Sequence, residues 1–408
     1  MHSLYLKRYA WPHPLFPDNN IDDKTGIIVV VPAYNEPHLM KALVSLQACH
    51  KPKSNVLILV IINESEREVK QIHHENLRSF EDVHAISGPY PVLSTIQTFP
   101  FKHAGVGLAR KVGMDEAVRL FQRINKDGII ACYDADCTCE PNFLIEIEKF
   151  FSVQKNHTAL TFFEHVLNDE NDKEITNYEL FLRYYVNGLR WAGYPYALQT
   201  LGSCISVRSS AYVRQGGMNR RKAAEDFYFI HKMVGIGGIG EINTTTIFPS
   251  SRISERVPFG TGHAVKKLKD QHHPSYLVYA PAIFEDLKAL IDSLDKIYKL
   301  KDINSVSLPK AIKSFLEDHS FPDKLDELLN ETSTFDSFIK RFYQWFDGLK
   351  VLKYVHYARD NYHDLSEISQ AIEWLNRNYF SFQLHGIDHQ EILLQIRKLD
   401  RKTSFHIK

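Results

Sequence analysis

This sequence has neither an excess of charge of one sign nor a long apolar run. The chain carries 49 Lys and Arg residues against 49 Asp and Glu residues, so its formal net charge is zero. A balanced charge creates no overall field that attracts nucleic acid, and we expect no nucleic-acid partner. No apolar stretch approaches the roughly 20 residues that span a bilayer, and residues 1–20 hold no apolar core of signal-peptide length. We therefore expect a cytoplasmic protein, and peripheral attachment at the inner face of the cell membrane stays open.

Cysteine is also scarce. The five cysteines are an odd number and lack the close spacing of a small disulfide-stabilised scaffold, which indicates a reducing compartment. Cys132, Cys137 and Cys139 lie close together, but no second Cys and His cluster with the spacing of a zinc site accompanies them. We interpret them as small buried or turn residues.

The apolar patterns predict an α/β fold. Continuous apolar, β-branched runs are typical of strands buried on both faces of a parallel sheet, and they occur at 27–31, 56–62, 129–133 and 158–163. Apolar residues at helical spacing lie between these runs, and this alternation favours a mostly parallel sheet. Residues 63–102 show no regular pattern, and helical periodicity dominates from about residue 264. We therefore predict an α/β domain over 1–263 and a helical region over 264–408.

Polar residues follow three of the predicted strands. The first strand ends in VPAYNE (31–36), the second in INESE (62–66) and the third in DAD (134–136). Ligands of open α/β sheets bind outside the carboxyl ends of the strands, so we predict a nucleotide crevice at this edge. Asp134 and Asp136 are costly to bury without a partner, so they either form hydrogen bonds in their own turn or hold a cation. A Mg2+ or Mn2+ ion bound by a carboxylate and by phosphate oxygens would neutralise a diphosphate there.

Four motifs occur in one order along 27–234: VPAYNE, GVGLARKVGMDEA before the third strand, DAD at its end, and GG followed by AAEDFYF. In this order and spacing the chain resembles family 2 glycosyltransferases of the GT-A type. The resemblance implies a Rossmann-like, mostly parallel GT-A catalytic domain with a C-terminal helical extension. The sequence departs from the family pattern after the second strand, where Asn63-Glu64-Ser65 replaces the Asp-Asp-Gly-Ser turn that is frequent there.

The resemblance also implies a role for each matching residue. The residues that would bind the nucleotide are Pro32, Ala33, Tyr34, Glu36, Glu64, Arg110 and Asp134. Asp136 would bind the metal ion together with Asp134, and His263 is a candidate third ligand. Asp226 would be the catalytic base, while Glu225 would orient it or pair with a nearby cation.

These roles predict a metal-dependent, inverting glycosyltransferase. A carboxylate that takes the proton of an acceptor hydroxyl makes that hydroxyl a nucleophile, and one base opposite the leaving group gives inversion. The acceptor would be a glycan, a lipid-linked molecule or a small molecule, as in polysaccharide biosynthesis. Whether the protein forms a homo-oligomer stays open. The motif Gln-x-x-Arg-Trp of membrane-embedded members is not found, which argues against a processive polysaccharide synthase.

Other interpretations stay open at this point. One alternative is a retaining transferase of the same fold, and another is a non-catalytic nucleotide-sugar-binding or scaffold protein. A third is a nucleotidyltransferase, but no glycine- and lysine-rich phosphate loop follows the first strand to support it. The site residues also have interpretations without a functional role. In these, Asp226 begins a helix, Arg110 is a solvated helix residue and Tyr34 is a packing residue. The segment 250–265 would be a lid over the phosphates. The aromatic stretch 178–196 would either stack on an acceptor or pack against the helical region.

Overall fold

The computed structural model describes residues 2–167, 172–221, 224–252, 276–384, 386–403 and 405–407. The chain divides into two compact units that alternate along the sequence. The sheet unit holds the described residues of Met1–Asn168, Thr200–Lys266 and Arg397–Lys408, and the helical unit holds those of Asp169–Gln199 and Lys267–Ile396. The sequence predicts a single boundary between 263 and 264, a position that lies outside the described residues.

The strands, numbered in chain order, are β1 (Thr25–Ala33), β2 (Asn55–Ser65), β3 (Val92–Phe99), β4 (Ile129–Cys132), β5 (Thr138–Cys139), β6 (Thr158–Phe163), β7 (Ile205–Arg208), β8 (Ile239–Phe248), β9 (Leu277–Val278), β10 (Ser366–Glu367) and β11 (His406–Ile407). The large sheet has the order β11-β8-β6-β7-β4-β1-β2-β3, and β5 pairs with β8. β1 pairs in parallel with both β2 and β4, whereas β7 is antiparallel to its neighbours β4 and β6.

The α-helices are α1 (His2–Arg8), α2 (Leu39–Gln47), α3 (Lys70–His84), α4 (Val106–Arg123), α5 (Phe143–Phe151), α6 (Asp172–Trp191), α7 (Ser209–Arg214), α8 (Glu225–Val234), α9 (Pro281–Leu300), α10 (Lys310–Asp318), α11 (Phe321–Asn330), α12 (Phe335–Trp345), α13 (Gly348–Asn361), α14 (Ile368–Leu375) and α15 (His389–Lys402). Among the residues that the structure describes, no helix combines the length and the apolar character needed to cross a membrane.

The predicted α/β fold with a helical C-terminal part is confirmed. Each of the four apolar runs forms a strand of the large sheet, namely β1, β2, β4 and β6. The structure also contains α3 and β3 in the stretch 63–102, for which the sequence predicts no element. These elements carry little apolar signal because α3 buries only Asn76 and Val83, and β3 lies at the edge of the sheet with most of its residues half-buried.

The helical unit has a dense aromatic core. The Tyr194 side chain is 2% exposed and packs edge-to-face against Tyr343, with the ring centroids 5.8 Å apart. Trp191 packs edge-to-face on Trp374 with the centroids 4.6 Å apart. These contacts favour the packing interpretation of this aromatic stretch over stacking on an acceptor.

Helix α4 lies against the large sheet and is buried along almost its whole length. On the sheet side a Cβ added at Gly113 would lie 2.4 Å from Val30 Cγ1 and 3.0 Å from Ile61 Cγ1, so only glycine allows this close approach. On another side the Asp115 carboxylate accepts hydrogen bonds from the Tyr5 hydroxyl at 2.6 Å and from the Trp11 amide at 2.7 Å. The helix is therefore fixed between the sheet and the N-terminal segment, which sets the position of every side chain that it carries.

We expect Gly113→Ala to destabilise the protein by about 1–3 kcal/mol because the new methyl group overpacks the interface between α4 and the sheet. Urea unfolding measures the loss. Gly235→Ala is the matched control, since its Cβ would meet only the Lys232 carbonyl oxygen at an ordinary 3.5 Å. Equal free energies of unfolding for Gly113→Ala and the wild type would contradict the close packing of α4.

Candidate functional site

The carboxyl ends of β4, β1 and β2 lie side by side at one edge of the large sheet. In the registers Val30 is opposite Cys132 and Ala33 is opposite Ile62, and all three strands run in the same direction. The three predicted polar motifs therefore follow neighbouring strands at a shared edge. This is the position where open α/β sheets bind their ligands.

The loop after β1 is held in a defined conformation. Pro32 and Ala33 are buried in the strand, and Tyr34 is half-buried. Asn35 adopts a left-handed conformation with φ of 43°, and its amide donates a hydrogen bond to Asn76 Oδ1 at 3.0 Å. Asparagine tolerates this conformation better than most residues, so the turn is compatible with its sequence.

Glu36 is only 6% exposed, and its carboxylate is paired with a cation. Arg252 Nη2 donates to both of its oxygens, at 3.1 and 2.9 Å, and the His38 amide donates to Oε1 at 2.8 Å. Arg252 Nε is buried and donates no hydrogen bond to a described residue. The ion pair therefore connects the loop after β1 to the segment that follows β8.

Glu64, at the end of β2, is also a buried carboxylate with several partners. Its Oε1 accepts from Thr98 Oγ1 at 3.1 Å, and its Oε2 lies 2.9 Å from His73 Nδ1 and 3.5 Å from Asn76 Nδ2. These partners come from α3 and β3, where the sequence predicts no element, so sequence reasoning missed them. Such contacts anchor the carboxylate at the strand edge.

Asp134 and Asp136 lie on the turn that joins β4 to β5. The Cys137 amide closes this turn by donating to the Asp134 carbonyl oxygen at 3.1 Å. The Asp134 carboxylate does not cap the turn. Instead its Oδ1 accepts from Arg110 Nη2 at 2.5 Å, and the side chain is 35% exposed. Asp136 is half-buried.

Arg110 connects this turn to the start of α8. Its side chain is only 2% exposed, so the interpretation as a solvated helix residue is wrong. Its Nη1 forms an ion pair with Glu225, while its Nη2 binds Asp134. Burial alone would lower the pKa of Arg110, but the two carboxylates more than offset this effect and the pKa is raised.

Asp226 follows Glu225 at the first turn of α8. Its Oδ1 accepts a hydrogen bond from the Phe227 amide at 2.7 Å, as expected for an acid at a helix N-terminus. Burial, with a further contribution from the Glu225 charge, raises the pKa of Asp226 to about 7, although Arg110 and the Phe227 amide act in the opposite direction. This carboxyl group therefore changes its protonation state near neutral pH.

The described residues contain no group of three or more His, Cys, Asp and Glu side chains arranged to hold a metal ion. His263 and the glycines of the predicted lid lie outside the described residues. Asp134 and Asp136 are still the type of ligand that could hold a Mg2+ ion, which usually takes one or two carboxylates and completes its shell with water and substrate phosphates. Asp134 Oδ1 faces Arg110, and its Oδ2 accepts no hydrogen bond from a described residue.

A cavity of about 340 Å³ lies at the opposite edge of the sheet. It is lined near the amino ends of β1, β2 and β3 by residues that include Thr25, Asn55 and Leu93. Its nearest carboxylate, Asp22, is already bound by Asn55 Nδ2 at 2.9 Å. We place the candidate site at the carboxyl edge because the acid pair and the raised pKa of Asp226 are found there.

No protein-family model and no curated protein sequence matches the chain. Solved structures with distant similarity include S. aureus TarS 1–349 in complex with UDP-GlcNAc, at 13% identity and a TM-score of 0.38, covering 69% of this chain and 77% of that one. Another is S. aureus TarS 1–349, at 15% identity and a TM-score of 0.36, covering 89% and 94%. A third is GalNAc-T7 with UDP, GalNAc and Mn2+, at 14% identity and a TM-score of 0.38, covering 78% of this chain and 56% of that one.

Asp226→Asn is expected to stabilise the protein more at about pH 8 than at about pH 4. The folded-state pKa of about 7 lies above the ordinary value of 3.8. The stability from the bound proton is thus fully present below the unfolded pKa and is lost as the pH rises through the folded pKa. Asparagine mimics the neutral acid at every pH and so escapes this loss.

Thermal midpoints of the variant and the wild type across this pH range measure the effect. Asp323→Asn is the control, because Asp323 lies in the first turn of α11 and is exposed. The control should not reproduce the gain in thermal midpoint at about pH 8. A stabilisation by Asp226→Asn that is the same at both ends of the range would contradict the raised pKa.

Proposed function

We propose that this protein is a glycosyltransferase that moves a sugar from a nucleoside diphosphate to an acceptor hydroxyl, with a divalent cation and with inversion at the anomeric carbon. The observation that carries the proposal is the convergence of Asp134, Glu225 and Asp226 at the carboxyl edge of the sheet. Asp134 follows β4 and the other two acids begin α8, yet one guanidinium binds the first two. Such an edge suits a diphosphate, and acids with different environments suit an acid-base reaction.

The donor would lie across the ends of β1, β2 and β4. Pro32, Ala33 and Tyr34 would line the nucleotide, and Glu36 and Glu64 would support the loops around it through the ion pair with Arg252 and the bonds to α3 and β3. Their engagement in these contacts favours a supporting role. A loop held in this way needs little ordering when the donor binds.

Asp136, with Asp134, would hold the Mg2+ or Mn2+ ion against the diphosphate. The bound ion would act as a Lewis acid that stabilises the charge on the departing diphosphate. The two carboxylates would fix the ion beside the strand ends, where the loops exclude part of the water. His263 remains a proposed third ligand.

Asp226 would take the proton of the acceptor hydroxyl. A general base works best with a pKa near the operating pH, and the pKa of Asp226 is raised to about 7 by burial and by Glu225. Glu225 itself is committed to Arg110 and would orient the start of α8. The acceptor class, cytoplasmic location, peripheral membrane attachment and homo-oligomer stay predictions.

A thermal-shift screen of nucleotide sugars with manganese tests donor binding. A donor at about 100 times its dissociation constant should stabilise the protein by about 2.7 kcal/mol, and Asp136→Ala should abolish the part that depends on manganese. Asp323→Ala, an exposed aspartate elsewhere, should retain it. If Asp136→Ala keeps the full manganese-dependent shift, the cation is bound by other residues.

Asp226→Asn should bind the donor like the wild type and lose about 100-fold to 10,000-fold in transfer rate. Transfer and donor hydrolysis are followed by nucleoside diphosphate release, and the anomeric configuration of the product is read by NMR. Wild-type transfer by this variant would remove Asp226 from the base role. Retention of configuration would indicate a retaining transferase, and donor binding without turnover in the wild type would indicate a non-catalytic binding protein.

A further inference from the structure

We propose that Arg110 is a positioning residue, whose guanidinium holds the Asp134 carboxylate after β4 and the Glu225 carboxylate at the start of α8, and that it does not touch the donor. The proposal rests on the proposed function, because it concerns how the acids of that site are placed. It assigns Arg110 a role other than the nucleotide contact that the motif resemblance implies.

Both terminal nitrogens of the Arg110 guanidinium bind a carboxylate. Nη1 forms an ion pair with Glu225 and Nη2 binds Asp134 Oδ1 at 2.5 Å. The planar fork of arginine can bind two carboxylates at once in a fixed geometry, which a lysine ammonium on a flexible stem does not reproduce. The guanidinium therefore sets the distance between the turn after β4 and the N-terminus of α8.

The space around the guanidinium is closed. A Cβ added at Gly202 would lie 2.6 Å from Nη1 and 2.7 Å from Nη2, so the backbone at residue 202 packs directly on the group. The Arg110 side chain is 2% exposed. This enclosure leaves almost none of the Arg110 side chain open to a donor phosphate.

The helix that carries Arg110 is itself held on two sides. Helix α4 packs against the sheet through Gly113 and is bound on another side through Asp115. A side chain on such a helix holds its partners with little freedom to move. The two carboxylates come from loops and helix ends, which have fewer packing constraints of their own.

The charges that face Asp226 make this role measurable. They are the Glu225 and Asp134 carboxylates, the Arg110 guanidinium and the Phe227 amide at the helix N-terminus. Removing the positive charge of Arg110 leaves two negative groups close to Asp226 and makes its deprotonation harder. Removing the negative charge of Glu225 makes it easier. A residue that only supported the fold would not shift the pH profile in these opposite directions.

The test compares Arg110→Gln, Arg110→Lys and Glu225→Gln with the wild type in the pH dependence of kcat/KM for transfer or donor hydrolysis. The rising acid limb should move up by about one pH unit or more in Arg110→Gln and down by a similar amount in Glu225→Gln. Arg110→Lys should keep the limb near its wild-type position, while kcat falls by about 100-fold because the fork is lost. Limbs that stay in place, or that move in the same direction, would overturn the proposal.

Arg119→Gln is the matched control. Arg119 lies on the same helix and is 9% exposed. Its hydrogen bonds to described residues go to Glu116, at 3.1 Å, and to the Trp11 carbonyl oxygen, and neither partner is a site residue. The control should lower the thermal midpoint and leave the pH profile unchanged. If Arg110→Gln does not fold, Gly202→Ala provides the second route, since its methyl group should push the guanidinium away and lower kcat without removing the charge.

Two further readouts separate the positioning role from other outcomes. Affinity for UDP and GDP, measured by calorimetry without a divalent cation, should stay within about threefold of the wild type in Arg110→Gln, and any larger loss would make Arg110 a nucleotide contact. The midpoints of Arg110→Gln, Glu225→Gln and the double variant should be non-additive, and additivity would overturn the pairing. This double-mutant cycle is measured from thermal midpoints and needs no turnover. If the wild type is inactive, the proposed function is rejected, but the cycle still tests the pairing of Arg110 with Glu225.

Discussion

The candidate site depends on one buried cation that two distant carboxylates share. Leaving Arg110 unpaired inside the protein would be costly, and Asp134 and Glu225 satisfy it at its two terminal nitrogens. The turn after β4 and the start of α8 are thereby held at the same point. Because Asp226 directly follows Glu225, its distance from the acid pair on the turn is constrained as well.

This constraint is useful only because α4 is itself held on two sides. The helix contacts the sheet closely at Gly113 and binds the N-terminal segment through Asp115 and Glu116, which accept hydrogen bonds from the Trp11, Leu15 and Phe16 amides. The N-terminal residues thus take part in fixing the helix that carries the central arginine. The N-terminal segment thus holds the helix, the helix positions the guanidinium, and the guanidinium positions the two carboxylates.

The sequence predicts the parts of the fold that carry a strong apolar pattern. The buried strands β1, β2, β4 and β6 have continuous apolar runs, and their polar ends identify the edge where the site lies. The pattern fails at α3 and β3, which bury few apolar residues, and so the partners of Glu64 remain invisible from sequence. Weak periodicity at a sheet edge is a general reason for such misses.

The candidate site is likewise predictable from the sequence only in part. The acids can be found from sequence because they follow strand ends or begin a helix, but the partner of each acid cannot. Arg110 and Glu225 are separated by 115 positions, and an arginine in a helix is ordinarily exposed. Only the folded chain shows that the guanidinium is enclosed and that Glu36 is paired with Arg252. Pairing of buried charges is a property of tertiary contacts and has no local sequence signal.

A crystal structure with manganese and a bound nucleoside diphosphate, with the ion located by its anomalous signal, would show whether this site holds the cation. We predict that the ion is coordinated by a carboxylate oxygen of Asp136 and that the diphosphate lies at the carboxyl edge of β1 and β4. We also predict that Arg110 keeps both of its carboxylate partners in that complex. A nucleotide bound at the opposite edge, or a diphosphate bound directly by Arg110, would contradict these predictions.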